Sequence, residues 1–301
     1  MEQNSVSVII PTYKRAHLIN RAINSVLNQT FQDFEIVVVI DGMDEDTLRE
    51  VQKFIDVRIK YIVLDKNMGI SAARNTGIMI AKGKYVALLD DDDEWVPTKL
   101  EKQLVVAERT SSEIGVIYSD YLEYFDDKYM SNYVGLLSGK KDERTQILEG
   151  RCIAPSVTII KKECFEKVGL FNIELTRCED WELWLRISEF YKFKKIPEAL
   201  TIHHRTASQL SANEVLMIET REMIISSYFK NDKKWLAYSI LIVGISWWNL
   251  GKKRKGQEYI LKAIKSDPYN VLYICVFIAT LGGVKSFKIL YRIYKKLTLD
   301  Y

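Results

Sequence analysis

The chain has 301 residues, 48% hydrophobic and 28% charged, the balance of a soluble globular protein with room for one large domain and an appendage. Its first residues carry an acid and too short an apolar stretch before Pro11 for a secretory leader. The net charge of +3 divides unevenly: residues 1–211 hold 28 Lys and Arg against 33 Asp and Glu, and residues 212–301 hold 15 against 7. A basic tail on an acidic body suggests an anionic partner for the tail, a membrane surface rather than nucleic acid, because the basic residues alternate with apolar runs. Cys152, Cys164, Cys178 and Cys275 show no Cys-x-x-Cys spacing and read as reduced thiols of a cytosolic protein.

In chain order, residues 6–10 form an apolar β run stopped by Pro11, and residues 16–28 carry helical periodicity through Leu18, Ile19, Ala22, Ile23, Val26 and Leu27. Residues 34–40, 61–64 and 85–89 read as buried strands, with a helix over 71–81. Continuous apolar strands separated by helices predict a parallel sheet covered on both faces. Such sheets take ligands beyond the carboxyl ends of their strands. Every unusual polar cluster falls at such an end: Pro11-Thr12-Tyr13, Asp41-Gly42, Asn67-Met68-Gly69, and the run Asp90-Asp91-Asp92-Asp93. The absence of Gly-x-Gly-x-x-Gly after the first strand argues against a dinucleotide dehydrogenase.

From 111 to 211 the pattern is less regular, with strands over 114–118 and 156–161 and a helix over 180–190. From 213 onward the signals are helical, and residues 247–268 resemble one tetratricopeptide-like hairpin, which needs neighbouring helices to bury its face. The apolar run 271–284 is shorter than the roughly 20 residues of a spanning helix. Behind it Lys285, Lys288, Arg292, Lys295 and Lys296 stand among apolar residues, as in a basic helix lying on an anionic membrane; a terminal helix docked on the domain is the alternative.

The four aspartates carry the most chemistry. Like charges about 5 Å apart repel by roughly 1 kcal/mol in water and roughly 3 at an effective dielectric of 20, so stacking them where a strand surfaces needs a positive partner. In extended chain Asp90 and Asp92 share one side, where a divalent cation would take their hard oxygens and leave room for phosphate. A solvated acidic turn ahead of a helix near Pro97 is the competing reading.

Residues 6–15, 25–35, 67–75 (Asn-Met-Gly-Ile-Ser-Ala-Ala-Arg-Asn), 81–85 and the aspartate run resemble, in this order, the family 2 glycosyltransferases. The match is dense over 5–101 and resumes at 154–160, 169–171 and Glu179-Asp180-Trp181. The resemblance implies an α/β fold of the GT-A type: a mostly parallel mixed sheet flanked by helices over 1–211, with a nucleotide-binding half to about 110 and an acceptor half after it. A helical carboxyl-terminal region occupies 212–301.

By the same resemblance Pro11, Thr12 and Tyr13 line the nucleotide pocket and Asp41 accepts a hydrogen bond from a uracil ring. Asn67, Gly69 and Arg74 follow, the glycine for close backbone approach and the arginine for phosphate oxygens. Asp92 is the implied Mn²⁺ or Mg²⁺ ligand with Asp90, while Asp90 and Asp91 also contact ribose or donor sugar. Asp180 is the implied base, with Glu179 supporting it; an N-cap of the following helix is the plain alternative for Asp180. His203 and His204 stand where relatives carry an aromatic-arginine pair, and ordinary strand-end histidines compete there with a metal or diphosphate contact. The family's Val-Asp-Asp-Gly-Ser becomes Val39-Ile40-Asp41-Gly42-Met43, which bears on base selectivity.

The expectation is therefore a metal-dependent inverting transferase that moves a sugar from a nucleotide-diphosphate donor, UDP-linked, to a hydroxyl of a glycan or lipid-linked glycan. Polysaccharide biosynthesis at the cytoplasmic membrane is the expected setting, with no nucleic acid partner. A sugar nucleotidyltransferase would want a glycine-rich loop with a lysine where Pro-Thr-Tyr stands. An inactive scaffold would have eroded the acidic run or Glu179-Asp180.

Overall fold

Apolar runs without polar alternation are buried only where both faces of a sheet are covered. In a computed structural model, which describes residues 5–125, 128–133, 142–205 and 214–282, β1 (Val6–Thr12) and β2 (Phe34–Ile40) are buried along their whole length. They pair in parallel, Val6 opposite Phe34 and Thr12 opposite Ile40. Between them α1 (Ala16–Leu27) buries Ile19, Ala22, Ile23 and Val26 on one face, the spacing of a helix that covers a sheet.

A short helix, α2 (Glu45–Gln52), precedes β3 (Ile59–Val63), and α3 (Ile70–Ile80) precedes β4 (Tyr85–Leu88). The order β3-β2-β1-β4, all parallel, means the chain builds outward from β1 and then returns to its other edge. The crevice at that reversal opens beyond the carboxyl ends of β1 and β4.

Past β4 come β5 (Asp93–Trp95), α4 (Lys99–Arg109), β6 (Ile114–Phe125), β7 (Lys128–Tyr133) and α5 (Glu143–Leu148). After them come a single 3-10 turn at Pro155–Val157, β8 (Thr158–Lys161), α6 (Lys162–Val168), α7 (Glu179–Ile187) and β9 (Lys192–His204). The sheet continues β4-β8-β6-β9-β5, with β7 on β6. β8 is antiparallel to β4 and β6, while β9 runs parallel to β6. The sheet is thus mixed, parallel in its first half, with helices around it.

Only the end of β9, at His203 and His204, figures in the sequence reading. Its run carries Lys192, Lys194, Lys195 and Pro197, and proline is excluded from regular ladders. The register accommodates it: Ser119 pairs with Ile196 and Asp120 with Ala199, so Pro197 falls in an irregularity that needs no N–H.

The residues cluster into two units, Met1–Leu136 with Arg151–Ala212, and Leu137–Gly150 with Asn213–Tyr301. The expected boundary near 211 took no account of α5, which falls in the second unit. That unit also holds α8 (Glu214–Tyr228), α9 (Lys233–Asn249), α10 (Lys253–Ser266) and α11 (Val271–Leu281). α9 and α10 form a hairpin in which Gly244 and Gly256 face each other; a Cβ on Gly256 would stand 2.8 Å from the Gly244 carbonyl oxygen. α11 covers the hairpin through Tyr273, Val276 and Ala279. The basic stretch 285–296 lies outside the described residues.

Candidate active site

Asp41, leaving β2, points back at the loop after β3. Its Oδ1 accepts from the Met68 N–H at 2.7 Å and Oδ2 from the Gly69 N–H at 2.9 Å. Gly42 and Gly69 both have positive φ, +107° and +89°, a region closed to most side chains. The carboxylate therefore shapes the loop besides whatever it offers a base.

The α3 motif makes two different grips. Asn75 holds Phe171 at both ends, donating to its carbonyl at 2.8 Å and accepting from its N–H at 2.9 Å. Arg74 lies over the Phe171 ring, 5.3 Å from its centroid. Its guanidinium bridges Asp90 (Nη2 to Oδ1, 2.7 Å) and Glu179 (Nη1 to Oε1, 2.8 Å). Arg74 is buried, and both its terminal nitrogens are committed to carboxylates, where the sequence expectation aimed it at phosphate. Those acids outweigh burial and raise its pKa. Its Nε is buried without a hydrogen-bond partner.

Ser156, from the motif at 154–160, accepts the Asp90 N–H on its hydroxyl at 3.0 Å. Its carbonyl accepts from Trp95 Nε1 at 2.8 Å. The acidic run itself is a turn, closed by Asp93 N–H to the Asp90 carbonyl at 3.0 Å, and not the extended chain expected. Alternation of exposure survives: Asp91 and Asp93 are buried, while the side chains of Asp90 and Asp92 are 28% and 15% exposed.

Every acid has a partner. Arg15 Nη1 reaches Asp91 Oδ1 at 2.8 Å and Asp92 Oδ2 at 3.0 Å, and Arg21 Nη2 donates to the Asp92 carbonyl at 2.6 Å. His203 lies 3.2 Å from Asp93 and His204 3.1 Å from Glu94. Burial lowers the His203 pKa but Asp93 overrides it, to about 9; burial leaves His204 below its usual value. Burial, then the neighbouring aspartates, push Asp92 up to about 6. The histidines face Asp93 and Glu94 and line no part of the crevice.

One cavity of about 460 Å³ collects the rest. Pro11, Thr12, Tyr13, Asp41, Asn67, Gly69, Arg74, Asp90, Asp91, Asp92 and Glu179 all line it. Arg15, Thr176 and Arg177 line it too and were missed; Arg15 directly follows Pro11-Thr12-Tyr13-Lys14, which was the available signal. Asp180 is not in the lining. It is the second residue of α7, whose N-cap is Cys178 in the left-handed region with no side-chain cap bond, so the capping alternative for Asp180 does not hold. Its Oδ1 accepts from the Trp181 N–H at 2.7 Å. Burial, then the Glu179 charge, raise its pKa to about 6, held back by hydrogen bonds from Cys152 and Trp181 and by Arg74.

Among the described residues no three His, Cys, Asp or Glu side chains converge on a point where an ion would sit. The carboxylate oxygens of Asp90 and Asp92 are hard donors that suit Mg²⁺ or Mn²⁺, and such an ion would complete its shell from a diphosphate and water.

Known proteins resemble this chain in sequence and in fold. The chain is 26% identical over 249 residues to the Escherichia coli protein WfgD, named as UDP-Glc:alpha-D-GlcNAc-diphosphoundecaprenol beta-1,3-glucosyltransferase, covering 81% of this chain and 95% of that one. The crystal structure of S. aureus TarS 1-349 in complex with UDP-GlcNAc overlays with a TM-score of 0.69 at 17% identity, covering 97% of this chain and 92% of that one. The mannosyltransferase PcManGT of Pyrobaculum calidifontis, in complex with GDP-Man and Mn²⁺, gives 0.61 at 16% identity over 99% and 88%. At these identities the two structures attest the fold. A profile described as Glycosyl transferase family 2 matches residues 7–169, more than half the chain and nearly every strand end that walls the cavity. The chain belongs to glycosyl transferase family 2.

Proposed function

We propose that the protein is a metal-dependent, inverting transferase that moves a sugar from a nucleotide-diphosphate donor, UDP-linked, to a hydroxyl of a glycan or lipid-linked glycan acceptor in polysaccharide biosynthesis. The observation that carries the proposal is the single cavity in which Asp90, Asp91, Asp92 and Glu179 meet the strand-end residues Thr12, Asp41 and Asn67. WfgD's named donor and acceptor support the choice of UDP and of a lipid-linked acceptor.

In this reading Asp92, with Asp90, would hold a divalent cation, which would supply positive charge against the diphosphate leaving group. Pro11, Thr12, Tyr13 and Asp41 grip the nucleoside. Arg74 fixes Asp90 and Glu179 relative to each other, so the donor side and the acceptor side share one rigid connection. Asp180 takes the proton of the acceptor hydroxyl as that oxygen attacks the anomeric carbon from the face opposite the leaving group. A carboxyl held at about 6 is ionised at neutral pH yet basic enough to accept.

A screen of UDP-, GDP- and dTDP-sugars with Mn²⁺ tests the donor; preference for UDP-sugars is expected, and equal hydrolysis of all three classes refutes it. Asp92→Ala is expected to abolish Mn²⁺-dependent UDP binding in calorimetry, and unchanged heats refute the metal role.

The proposal extends to an anionic membrane surface as the partner of the second unit. No described helix is long and apolar enough to cross a membrane. On α11, however, Val271, Ile274, Ile278 and Leu281 are 69, 38, 58 and 66% exposed. Their spacing puts all four on one stripe opposite the buried Tyr273, Val276 and Ala279, in a region rich in Lys and Arg. Ile278→Glu with Leu281→Glu is expected to release the protein from phosphatidylglycerol vesicles in co-sedimentation; undiminished pelleting refutes this partner.

A further inference from the structure

We propose that Arg15, paired with Asp91 and Asp92, is a built-in counter-cation that competes with the divalent metal for Asp92, so that the metal enters only together with the nucleotide diphosphate. The inference rests on the metal reading above and adds a residue to it.

Three observations lead there. A single nitrogen, Arg15 Nη1, lies between the two carboxylates, 2.8 Å from Asp91 Oδ1 and 3.0 Å from Asp92 Oδ2. Both distances are those of charge-assisted hydrogen bonds, and a cation ligated by Asp92 would draw on the same negative charge. Second, Arg15 differs from the other cations of the acidic run in being displaceable. Its side chain is 43% exposed, against 3% for Arg74 on Asp90 and 30% for His203 on Asp93. Third, the described acids supply no three-ligand site, so a metal without diphosphate has too few protein oxygens to outbid a guanidinium already in place. Diphosphate changes that balance twice. It brings the missing oxygens to the metal, and it offers anionic acceptors to a guanidinium that already lines the same cavity.

The backbone holds Arg15 in position for this role. Lys14, just before it, adopts the left-handed conformation at φ +53°, uncommon for a residue with a side chain. Arg15 itself is the N-cap residue of α1, so its backbone is fixed at the helix start while its side chain reaches the two acids.

The test is Mn²⁺ binding, followed by the electron paramagnetic resonance of free Mn²⁺, to the full chain with and without UDP. Wild type is expected to bind Mn²⁺ weakly alone and far more tightly with UDP. In Arg15→Gln, Mn²⁺ alone is expected to bind about tenfold tighter or more, since a unit charge within 3–4 Å has been removed, and the gain from UDP is expected to shrink. Arg15→Lys keeps the charge and is expected to keep most of the wild-type dependence on UDP. Circular dichroism of all three establishes that each is folded, and the Lys variant carries the comparison if Gln is not. Unchanged or weaker Mn²⁺ binding by Arg15→Gln alone overturns the proposal while leaving the metal reading intact. No Mn²⁺ binding by wild type even with UDP overturns the metal reading, and this proposal with it.

Discussion

Asp180→Asn should make the protein more stable at pH 8 and inactive. Holding the Asp180 carboxyl at about 6 instead of the ordinary aspartate value of about 3.9 costs its ionised form about 3 kcal/mol in the folded state. The causes are burial first and the Glu179 charge second. The sign follows from linkage: a carboxyl whose folded pKa is raised burdens the fold fully above that pKa, and the burden vanishes below the unfolded value. An asparagine can keep accepting the Trp181 N–H while carrying no charge. Urea midpoints followed by tryptophan fluorescence should therefore show Asp180→Asn ahead by about 2–3 kcal/mol at pH 8. That lead should fall as pH drops through 6 and disappear near pH 4. Turnover should fall by about 10²-fold or more, the range of general base catalysis, with UDP affinity nearly unchanged. A variant equal to or less stable than wild type at pH 8 refutes the electrostatic account of this site. Undiminished turnover refutes the base.

Arg74→Met strips two carboxylates of a buried partner; breaking such pairs costs about 3–5 kcal/mol, and the partial exposure of Asp90 and Glu179 reduces this to about 2–3, read from chemical denaturation at pH 7. Gly42→Ala places a Cβ 2.9 Å from the Asn67 backbone nitrogen at φ +107°, so UDP should bind about tenfold or more weakly as the 67–69 loop moves; calorimetry reads it. Lys99 is fully buried against the Trp95 ring with Gln103 as its hydrogen-bond partner, and burial holds its pKa well below the usual value. That lowered pKa penalises the fold below the unfolded value of about 10.4. Lys99→Met should therefore gain on wild type as pH falls from 10 to 7, and a pH-independent difference in urea midpoint would contradict this.

The central strands of the parallel half were legible because burial on both faces leaves a mark along the run: β1 and β2 contain no exposed residue, whereas β3, expected to be buried, is exposed at Lys60 and Tyr61 because it is the edge strand. α2 escaped because its apolar content is confined to Leu48 and Val51; the signal present was Asp44, which accepts the Thr47 N–H at 3.3 Å as an N-cap. The motif residues were legible as the lining of one crevice and not as partners of one another. Nothing in spacing says that Asn75 clasps Phe171 or that Arg74 joins Asp90 to Glu179, since these pairs span 96 and 105 positions. Arg15 was passed over for a related reason, because its meaning lies in acids 76 and 77 positions away.

The acidic run illustrates why chemistry of this kind needs the fold. Asp90 to Glu94 are five consecutive acids, and the sheet divides them by pairing rather than by composition. β5 begins at Asp93, and its antiparallel register on β9 puts Asp93 opposite His203 and Glu94 opposite Ile202. The rear two are thus absorbed by the histidines of a strand more than a hundred positions on, and the His203 imidazole beside Asp93 is held up to about 9. The front three are met by arginines from α3 and from the start of α1 and face the cavity. The competing reading of a solvated turn does not fit the rear half, where Asp93 is buried, while the front half is the part to which the proposed function assigns the cation. The division predicts opposite phenotypes. His203→Gln should lower stability and leave Mn²⁺-dependent UDP binding near wild type, because it strands Asp93, which lies outside the cavity lining. If it abolished that binding with the fold intact, the two halves would not be separable and Asp93 would belong to the site.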